Sequence, residues 1–328
     1  MHSIKKLLGV TTFAALGALG SAAAAETEAA DWPQKPIEIV VLNGPGGASD
    51  IFARNLARAA EPAFGQPVAV LNKPGGGGAT QMSVVKSAKP DGYTIGVNTL
   101  SHFTGMKTNL AGTFSKDDFE WIALLQEDSY LFFVTADSPY QSFGDLVAAA
   151  KARSEPINFG GFGPIGSTGN IATELVTNAA GIETNWVSYK SSSDTAVAVL
   201  GGHVEVGAGN PGAIMEFLEA GRLRVLGVLA NERSPILPDV PTFAEQGIDA
   251  DGSWQQIRGI FAPKGVPAEI QEKIAAALKT AIEDPDYQAY QAAAGISARF
   301  MGPDEYRSHV ARLDELAAEG LTAAGVMP

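Results

Sequence analysis

The feature that most constrains the fold is a repeated order of buried strand, glycine-rich turn and helix. The first copy starts with the unbroken apolar run 37–42, which is typical of a strand buried on both faces. The turn 43–50 follows, and apolar residues then recur at helical spacing. The same order is repeated between residues 67 and 97. It predicts an α/β fold, with a mostly parallel sheet flanked by helices and ligands at the carboxyl ends of the strands.

The second half of the chain contains a similar block. Strand-like segments at 120–125 and 130–135 interrupt the alternation, which then resumes between 142 and 229. Two such blocks in 328 residues predict two lobes, joined by crossing strands, with a ligand cleft between them. Helical patterns at the end of the chain are expected to pack back on the first lobe. The predicted parts are 26–125 (lobe 1, first part), 126–228 (lobe 2) and 229–328 (lobe 1, second part, with the C-terminal helices).

The first residues have the pattern of an export signal. Lys5 and Lys6 precede the apolar run 7–20, and the alanines at 23–25 fit a cleavage site before Glu26. The apolar run of about 14 residues is shorter than the ~20 residues that span a bilayer. We therefore expect residues 1–25 to be a signal peptide and the mature protein to be soluble in the periplasm.

Composition excludes several classes of site. Because the chain has no cysteine, it forms neither a disulfide nor a thiolate metal site. The four histidines are scattered without ligand-like spacing, so we expect no metal and no cofactor. The formal net charge of −13 argues against nucleic acid or an anionic membrane as a partner. An anionic ligand must then be attracted by local dipoles and not by net charge.

The turn 44–50 is suited to binding an anionic oxygen. Its glycines allow positive φ and a close approach of the backbone to a ligand, and the next helix contributes its N-terminal dipole. Ser49 or Asp50 is expected to cap that helix, or Asp50 to order a water against the ligand. Three further turns open helices in both blocks, so several helix N-termini are expected to converge on one cleft. These turns are 74–78, which contains Gly77, 160–170 and 189–194.

Three better-known glycine motifs fit this sequence poorly. In the dinucleotide fingerprint, Ser49 replaces the third glycine, and the second strand ends without the acidic residue that binds ribose. The segment 161–168 has the spacing of a P-loop, but Ser167 stands in place of the phosphate-binding lysine. Ser167 also lacks the first glycine of a nucleophile elbow, because Ile165 stands there. We therefore expect a binding protein and not an enzyme.

A series of short motifs runs through nearly the whole mature chain. The motifs are Trp32-Pro33-Gln34-Lys35-Pro36-Ile37, Pro45-Gly46-Gly47 with Asp50, Gly65-Gln66-Pro67-Val68, Asn72-Lys73-Pro74-Gly75, Pro90-Asp91-Gly92-Tyr93-Thr94, Leu200-Gly201-Gly202-His203-Val204, Pro238-Asp239-Val240-Pro241-Thr242 and Phe261-Ala262-Pro263-Lys264-Gly265. Together they resemble the Bug/TctC family, the periplasmic solute receptors of tripartite tricarboxylate transporters. The resemblance implies a type II, Venus-flytrap fold of two lobes. It also implies a small carboxylate ligand (a di- or tricarboxylate or an aromatic acid) and membrane transporter subunits as partners.

The resemblance also implies which residues hold a ligand carboxylate. In this family the first glycine turn and a Gly-Ser loop of the second lobe bind it, with ordered water assisting. The corresponding residues are Pro45, Gly46, Gly47, Ala48 and Asp50 in lobe 1 and Ser167, Thr168 and Asn170 in lobe 2. Four further residues, Ser101, His102, Asn210 and Trp254, are expected near the edges of the cleft. Trp254 there would favour a flat aromatic acid.

One residue departs from the family pattern. Many relatives have histidine where this chain has Asn170, which forms hydrogen bonds but cannot become a cation. Lys190 is the alternative source of positive charge. We expect the identity of the ligand to be decided at Asn170.

The expected function is capture without chemistry. The cleft of a monomer closes around a small carboxylate, and the closed form is presented to a tripartite transporter. Two alternatives stay open at this point. One is a periplasmic sensory receptor with the same binding lobes. The other, with less support, is a periplasmic hydrolase, which requires a nucleophile–base pair or a metal that the sequence does not single out.

Overall fold

The computed structural model describes residues 31–328, so the predicted signal peptide lies outside the described residues. The strands are β1 (Ile37–Val41), β2 (Val68–Asn72), β3 (Thr94–Asn98), β4 (Phe119–Asp128), β5 (Tyr130–Thr135), β6 (Ile157–Phe162), β7 (Thr184–Tyr189), β8 (Val206–Gly209), β9 (Leu223–Leu229), β10 (Gln256–Pro263) and β11 (Ala298–Met301). The helices are α1 (Ala48–Phe64), α2 (Ala79–Ser87), α3 (Leu100–Lys107), α4 (Phe143–Ala152), α5 (Thr168–Ala180), α6 (Ser192–Leu200), α7 (Met215–Glu219), α8 (Ala268–Ile282), α9 (Pro285–Ala294) and α10 (Pro303–Ala323).

The strands form two separate sheets, one for each lobe. The six-stranded sheet of lobe 1 has the order β11-β4-β10-β3-β1-β2, and the five-stranded sheet of lobe 2 has the order β7-β6-β8-β5-β9. The predicted two-lobed α/β fold is confirmed, with one correction to the pairing. β1 pairs in parallel with β2 and β3, and β6 with β7 and β8, but β10, β11 and β5 pair antiparallel with their neighbours. The sheets are mixed because β5 and β10, the strands that follow the two crossings, and the edge strand β11 run against the βα units.

The chain passes between the sheets twice. β4 ends at Asp128 in the first sheet, and β5 begins at Tyr130 in the second, so Ser129 is the first crossing point. The return runs from the end of β9 to the start of β10, which pairs with β4 in antiparallel register. The two crossing points therefore lie side by side, in an arrangement that suits a hinge between lobes.

Three local predictions differ from the structure. The sequence analysis assigned no element to α3 or β11. Most residues of α3 are buried, so its sequence lacks the one-sided apolar spacing that marks a surface helix, and β11 is a four-residue edge strand. In the second predicted block the sequence favours one helix at 211–219, whereas the structure has a short 3₁₀ turn, Pro211–Ala213, followed by the single turn α7.

The C-terminal helix α10 packs on both lobes. It contacts α3 and β4 in lobe 1 and α5 in lobe 2. The cluster of buried apolar side chains that contains Leu313 and Leu316 of α10 also contains Ile171 of α5. At one side of this contact, Arg312 forms an ion pair of 2.7 Å with Asp251. The expected packing of the C-terminal helices on lobe 1 is thus accompanied by a contact with lobe 2.

Within residues 31–328, no helix has both the length and the apolar character needed to cross a membrane.

Gly320 provides a test of the contact between α10 and α5. A Cβ atom built on Gly320 lies 2.1 Å from Cγ2 of Ile171, well inside van der Waals contact. We expect Gly320→Ala to lower the free energy of unfolding by about 1–3 kcal/mol, because overpacking outweighs the helix propensity that alanine adds. Urea denaturation measures the change.

The double variant Gly320→Ala with Ile171→Ala is the control. Shortening Ile171 removes the atom with which the new methyl group collides, so the double variant should lose less stability than the sum of the two single variants. Strictly additive losses would show that these two residues are not in contact.

Candidate functional site

A cleft with a volume of about 680 Å³ lies between the two sheets. Lobe 1 lines it with the turn before α1, the start of α3, the end of β4 and the start of β10. Lobe 2 lines it with the starts of α5 and α6 and the loop after β8. The cleft thus lies at the carboxyl ends of the parallel strands, where ligands of open α/β sheets bind.

The turn before α1 is closed by short hydrogen bonds. Gly46 has φ of 80°, in the left-handed region that favours glycine. Its N–H donates to Oδ2 of Asp50 at 2.9 Å, and the N–H of Gly47 donates to the carbonyl of Gly44 at 3.0 Å. The turn is therefore rigid, and it sets the direction in which α1 starts.

Asp50 is committed to this turn. Its buried carboxylate accepts hydrogen bonds from Nε of Arg54 at 3.0 Å and from Nδ2 of Asn72 at 2.8 Å, in addition to the Gly46 N–H. These donors, the Arg54 guanidinium first, lower the pKa of Asp50 to about 2 in spite of burial. Asp50 stabilises the turn that faces the cleft, and it does not itself line the cleft.

The turn before α5 repeats this geometry in lobe 2. Gly166 also has φ of 80°, and its N–H donates to Oδ1 of Asn170 at 2.8 Å. The N–H of Ser167 donates to the carbonyl of Pro164 at 2.9 Å, and Oγ of Ser167 caps α5. Asn170 is therefore the counterpart of Asp50: each side chain accepts the N–H of the glycine four residues before it.

Asn170 lies behind the cleft surface. The residue is 1% exposed, and its Nδ2 donates to Oε1 of Glu174 at 3.4 Å. The difference from the family's histidine thus falls on a residue that holds the turn. The prediction that Asn170 decides the identity of the ligand finds no support in this placement.

Four helices begin at the cleft. Ala48 and Ser49 of α1 and Ser101 of α3 line it from lobe 1, and Thr168 of α5 and Ser192 of α6 line it from lobe 2. The first N–H groups of a helix have no partners within the helix, and the helix dipole adds positive potential at that end. The cleft therefore offers N–H donors from both lobes to an anionic oxygen.

Thr168 is held from behind by two aromatic residues. Trp254 is buried, and its Nε1 donates to the carbonyl of Thr168 at 2.9 Å. The hydroxyl of Tyr130 lies 2.8 Å from Oγ1 of Thr168 and 2.9 Å from Oε1 of Gln256. Trp254 therefore positions the start of α5, and its ring is not placed for stacking on a flat ligand.

His102 supports the start of α3 through a buried network. The N–H of Thr99 donates to Nδ1 of His102 at 3.1 Å, so Nε2 carries the proton and donates to Oε1 of Gln81 at 2.8 Å. The amide of Gln81 donates in turn to the carbonyls of Val40 and Val97. Burial lowers the pKa of His102 to about 4, so the imidazole is neutral at pH 7.

The predicted site residues fall into two groups. Ala48, Ser101, Thr168 and Asn210 line the cleft. The others support or flank it, and Lys190 among them is exposed to solvent. Those that do not line the cleft are Pro45, Gly46, Gly47, Asp50, Gly77, His102, Ser167, Asn170, Lys190 and Trp254.

A polar wall built from β4 and β10 was not predicted from the sequence. Gln126 and Asp128 of β4 and Arg258 of β10 line the cleft, and Arg258 pairs with Gln126 in the sheet register. Asp128 accepts hydrogen bonds from the N–H of Ser297 at 2.7 Å and from the amide of Gln126, and burial raises its pKa. The available signals were Arg258 within an otherwise apolar segment, 257–262, and the polar run 126–129 between the strand-like segments 120–125 and 130–135.

Comparison with known proteins identifies the family. The model of the family described as "Tripartite tricarboxylate transporter family receptor", TctC, matches residues 52–320. The chain belongs to this family. A UPF0065 protein encoded in the gbd 5' region of Cupriavidus necator is 34% identical over 300 residues, which cover 91% of this chain and 90% of that protein.

Solved structures similar to this chain have the same fold. A TctC solute-binding protein from Polaromonas, without ligand, superposes with a TM-score of 0.82 at 26% identity and covers 89% of this chain and 99% of its own. R. palustris Rpa4515 with adipate gives a TM-score of 0.69 at 28% identity and covers 91% and 100%. The predicted family and the fold of a two-lobed periplasmic binding protein are confirmed.

The described part of this TctC-family chain, residues 31–328, contains no group of three or more His, Asp or Glu side chains able to hold a metal ion. The chemistry of the cleft is that of its N–H groups, hydroxyls, amides and the two charged side chains of the polar wall.

Asp50 gives the turn a stability that depends on pH. Its pKa in the folded protein, about 2, lies below the ordinary value of 3.8, so the carboxylate stabilises the fold above pH 3.8, and this contribution is lost as the pH falls through about 2. Asp50→Asn should lower the free energy of unfolding by about 1 kcal/mol at neutral pH, a modest value because solvent screens the half-exposed Arg54. Urea denaturation at about pH 7 and about pH 3 should show the deficit shrinking with acid.

Asp91→Asn is the control, since the ion pair of Asp91 with Lys35 is exposed on both sides. It should leave stability unchanged within about 0.5 kcal/mol at either pH. A deficit in Asp50→Asn that persists undiminished in acid would contradict the role assigned to the carboxylate.

Proposed function

We propose that this chain is the periplasmic solute-binding receptor of a tripartite tricarboxylate-type transporter, and that it captures a small carboxylate in the cleft between its lobes. The observation that carries the proposal is the convergence of four helix N-termini, two from each lobe, on one cleft. This arrangement holds an anion by N–H groups and dipoles that are fixed before the ligand arrives.

Fixed dipoles suit a protein of this charge. The chain carries a formal net charge of −13, so at long range it repels an anion. Within the cleft, oriented N–H groups act at hydrogen-bond distance, where the repulsion from distant surface charges is screened by salt. Binding by backbone and dipole therefore requires no net positive surface.

Family and neighbours support a carboxylate as the ligand. The family is named for receptors of tripartite tricarboxylate transporters, and the similar structure of Rpa4515 holds adipate. The N-terminal pattern of Lys5, Lys6 and an apolar run before small residues supports export to the periplasm. The family to which the chain belongs also supports delivery of the ligand to membrane subunits.

We expect the two lobes to close when a ligand is bound, so that the closed form marks the loaded receptor. A ligand shifts the balance between open and closed lobes only as far as it binds one state better than the other. An acid held between α1 and α5 contacts both lobes, and it contacts both fully only when they are close. The closed, loaded form is then the form that the transporter subunits distinguish from the empty one.

Capture is favoured over catalysis by the state of the nearby groups. Both ring nitrogens of His102 are used within its own network, so His102 is not available as a general base for Ser101 or Ser49. Oγ of Ser167 donates to the carbonyl of Phe162 and caps α5. None of the three serines, Ser49, Ser101 and Ser167, is therefore part of the nucleophile–base pair that a hydrolase requires.

Isothermal titration with succinate, glutarate, adipate, citrate and benzoate tests the proposal. At least one acid should bind with a Kd of about 10 μM or tighter, and no turnover should accompany binding. Proteoliposomes with the transporter's membrane subunits should take up that acid only when the receptor is added. Absence of binding across this panel would remove the proposed function.

Gly46→Ala tests the role of the turn before α1. The new methyl group meets no atom within 4 Å, but φ of 80° disfavours any residue with a Cβ, so the turn shifts and moves the N-terminus of α1. We expect affinity for the bound acid to fall about 10-fold, which corresponds to about 1.4 kcal/mol.

Gly247→Ala is the matched control for Gly46→Ala. Gly247 has φ of 78°, its Cβ would likewise meet no atom within 4 Å, and it does not line the cleft. The two variants carry the same backbone strain, so only Gly46→Ala should weaken binding. Equal losses in both would assign the effect to general destabilisation.

A further inference from the structure

Arg258 is a cation at the wall of the cleft, and it has no hydrogen-bonded anion among the described residues. Its Nη1 is buried and has no hydrogen-bond partner among the described residues. The guanidinium lies over the ring of Phe52, 5.9 Å from the centroid. Burial is the main effect on Arg258 and lowers its pKa. Since guanidinium stays protonated in proteins, Arg258 carries a charge at the wall of the cleft and has at least one unused donor.

The carboxylate nearest in the wall does not neutralise this cation directly. Asp128 is close enough to oppose the effect of burial on Arg258, but no ion pair joins the two side chains within the described residues. The oxygens of Asp128 are engaged with Ser297 and Gln126. Asp128 therefore attracts Arg258 electrostatically but forms no hydrogen bond with it. A ligand that binds Arg258 would provide the missing hydrogen-bonding partner.

The position of Arg258 relative to the helix N-termini suits a ligand with two ends. Gln256 and Arg258 are two residues apart on β10 and both line the cleft, so about 7 Å of strand separates them. Gln256 is linked through the hydroxyl of Tyr130 to Thr168 at the start of α5. A short diacid with one carboxylate near Gln256 and Thr168 can extend its other carboxylate along this strand toward Arg258.

We propose that Arg258 binds the second anionic group of the ligand and thereby makes dianionic carboxylates the preferred substrate class. This inference rests on the proposed receptor function, and it adds the residue that selects among acids. The first carboxylate is held by N–H groups that any carboxylate satisfies. Arg258 then provides a planar fork that a second carboxylate fits with two parallel hydrogen bonds.

The prediction concerns relative affinities. Adipate and monomethyl adipate have the same chain, but the ester lacks the second negative charge. The wild-type protein should bind adipate, glutarate or succinate about 10- to 100-fold more tightly than the corresponding monomethyl ester, as expected for charge-assisted hydrogen bonds. Isothermal titration of the mature protein with each pair of compounds measures this ratio.

Arg258→Gln should abolish the preference. Affinity for the diacid should fall about 10- to 100-fold, whereas affinity for the monoester should change by less than about 3-fold. Arg258→Lys keeps the charge but not the planar fork, so it should retain an intermediate preference. Far-UV circular dichroism and thermal unfolding establish that each variant is folded. If Arg258→Gln does not fold, the wild-type ratio and the Arg258→Lys variant still decide the matter.

Arg299→Gln is the matched control. It removes one positive charge from the same lobe, but Arg299 lies on β11, outside the lining of the cleft. Its ratio of diacid to monoester affinity should equal that of the wild type. A reduction as large as in Arg258→Gln would show that net charge, and not Arg258, sets the preference.

The outcomes separate the two proposals. If the wild-type protein binds no acid of either kind, the receptor function itself fails. If it binds acids but binds monoester and diacid equally, or if Arg258→Gln weakens both alike, the role of Arg258 is overturned while the receptor function stands.

Discussion

The binding surface depends on one hydrogen bond in each lobe, from the N–H of a left-handed glycine to the side chain four residues later. In lobe 1 the bond joins Gly46 to Asp50, and in lobe 2 it joins Gly166 to Asn170. Each bond closes the turn between a buried strand and a helix, and so fixes where the first N–H groups of that helix point. Without it the dipoles of α1 and α5 would be present but not directed at a common point.

The side chain that accepts the glycine N–H is charged in lobe 1 and neutral in lobe 2. In lobe 1 the acceptor is a carboxylate, and Arg54 balances it within the turn. In lobe 2 the acceptor is the neutral amide of Asn170, which needs no counter-ion. A neutral acceptor itself adds no negative charge at the start of α5 that would repel an anionic ligand. The replacement of the family's histidine is thus consistent with carboxylate binding, although it adds no cation.

Sequence reasoning reached those parts of the molecule whose determinants are local. Two helices could be predicted from a glycine turn and the apolar spacing that follows it within one segment. In the structure they begin after residues 47 and 167, at Ala48–Phe64 and Thr168–Ala180. The role of Asp50 was left between cap, water ligand and ligand contact, because all three use the same residue type. The position of Arg258 in the cleft wall could not be predicted from the sequence. Its neighbours Gln126 and Asp128 are about 130 positions away and are brought close only by the register of β4 and β10.

That register also ties ligand binding to the movement of the lobes. The polar wall lies where β4 and β10 approach the crossing points, and Tyr130, just beyond the first crossing, contacts both Gln256 and Thr168. An acid bound by helix N-termini alone contacts each lobe separately, whereas one that also reaches the wall contacts the strands that join the lobes. Since a ligand favours closure only by the contacts that closure adds or improves, a group at the hinge contributes to both affinity and the closed state. Under the proposed function, the same few side chains both select among acids and favour the closed state.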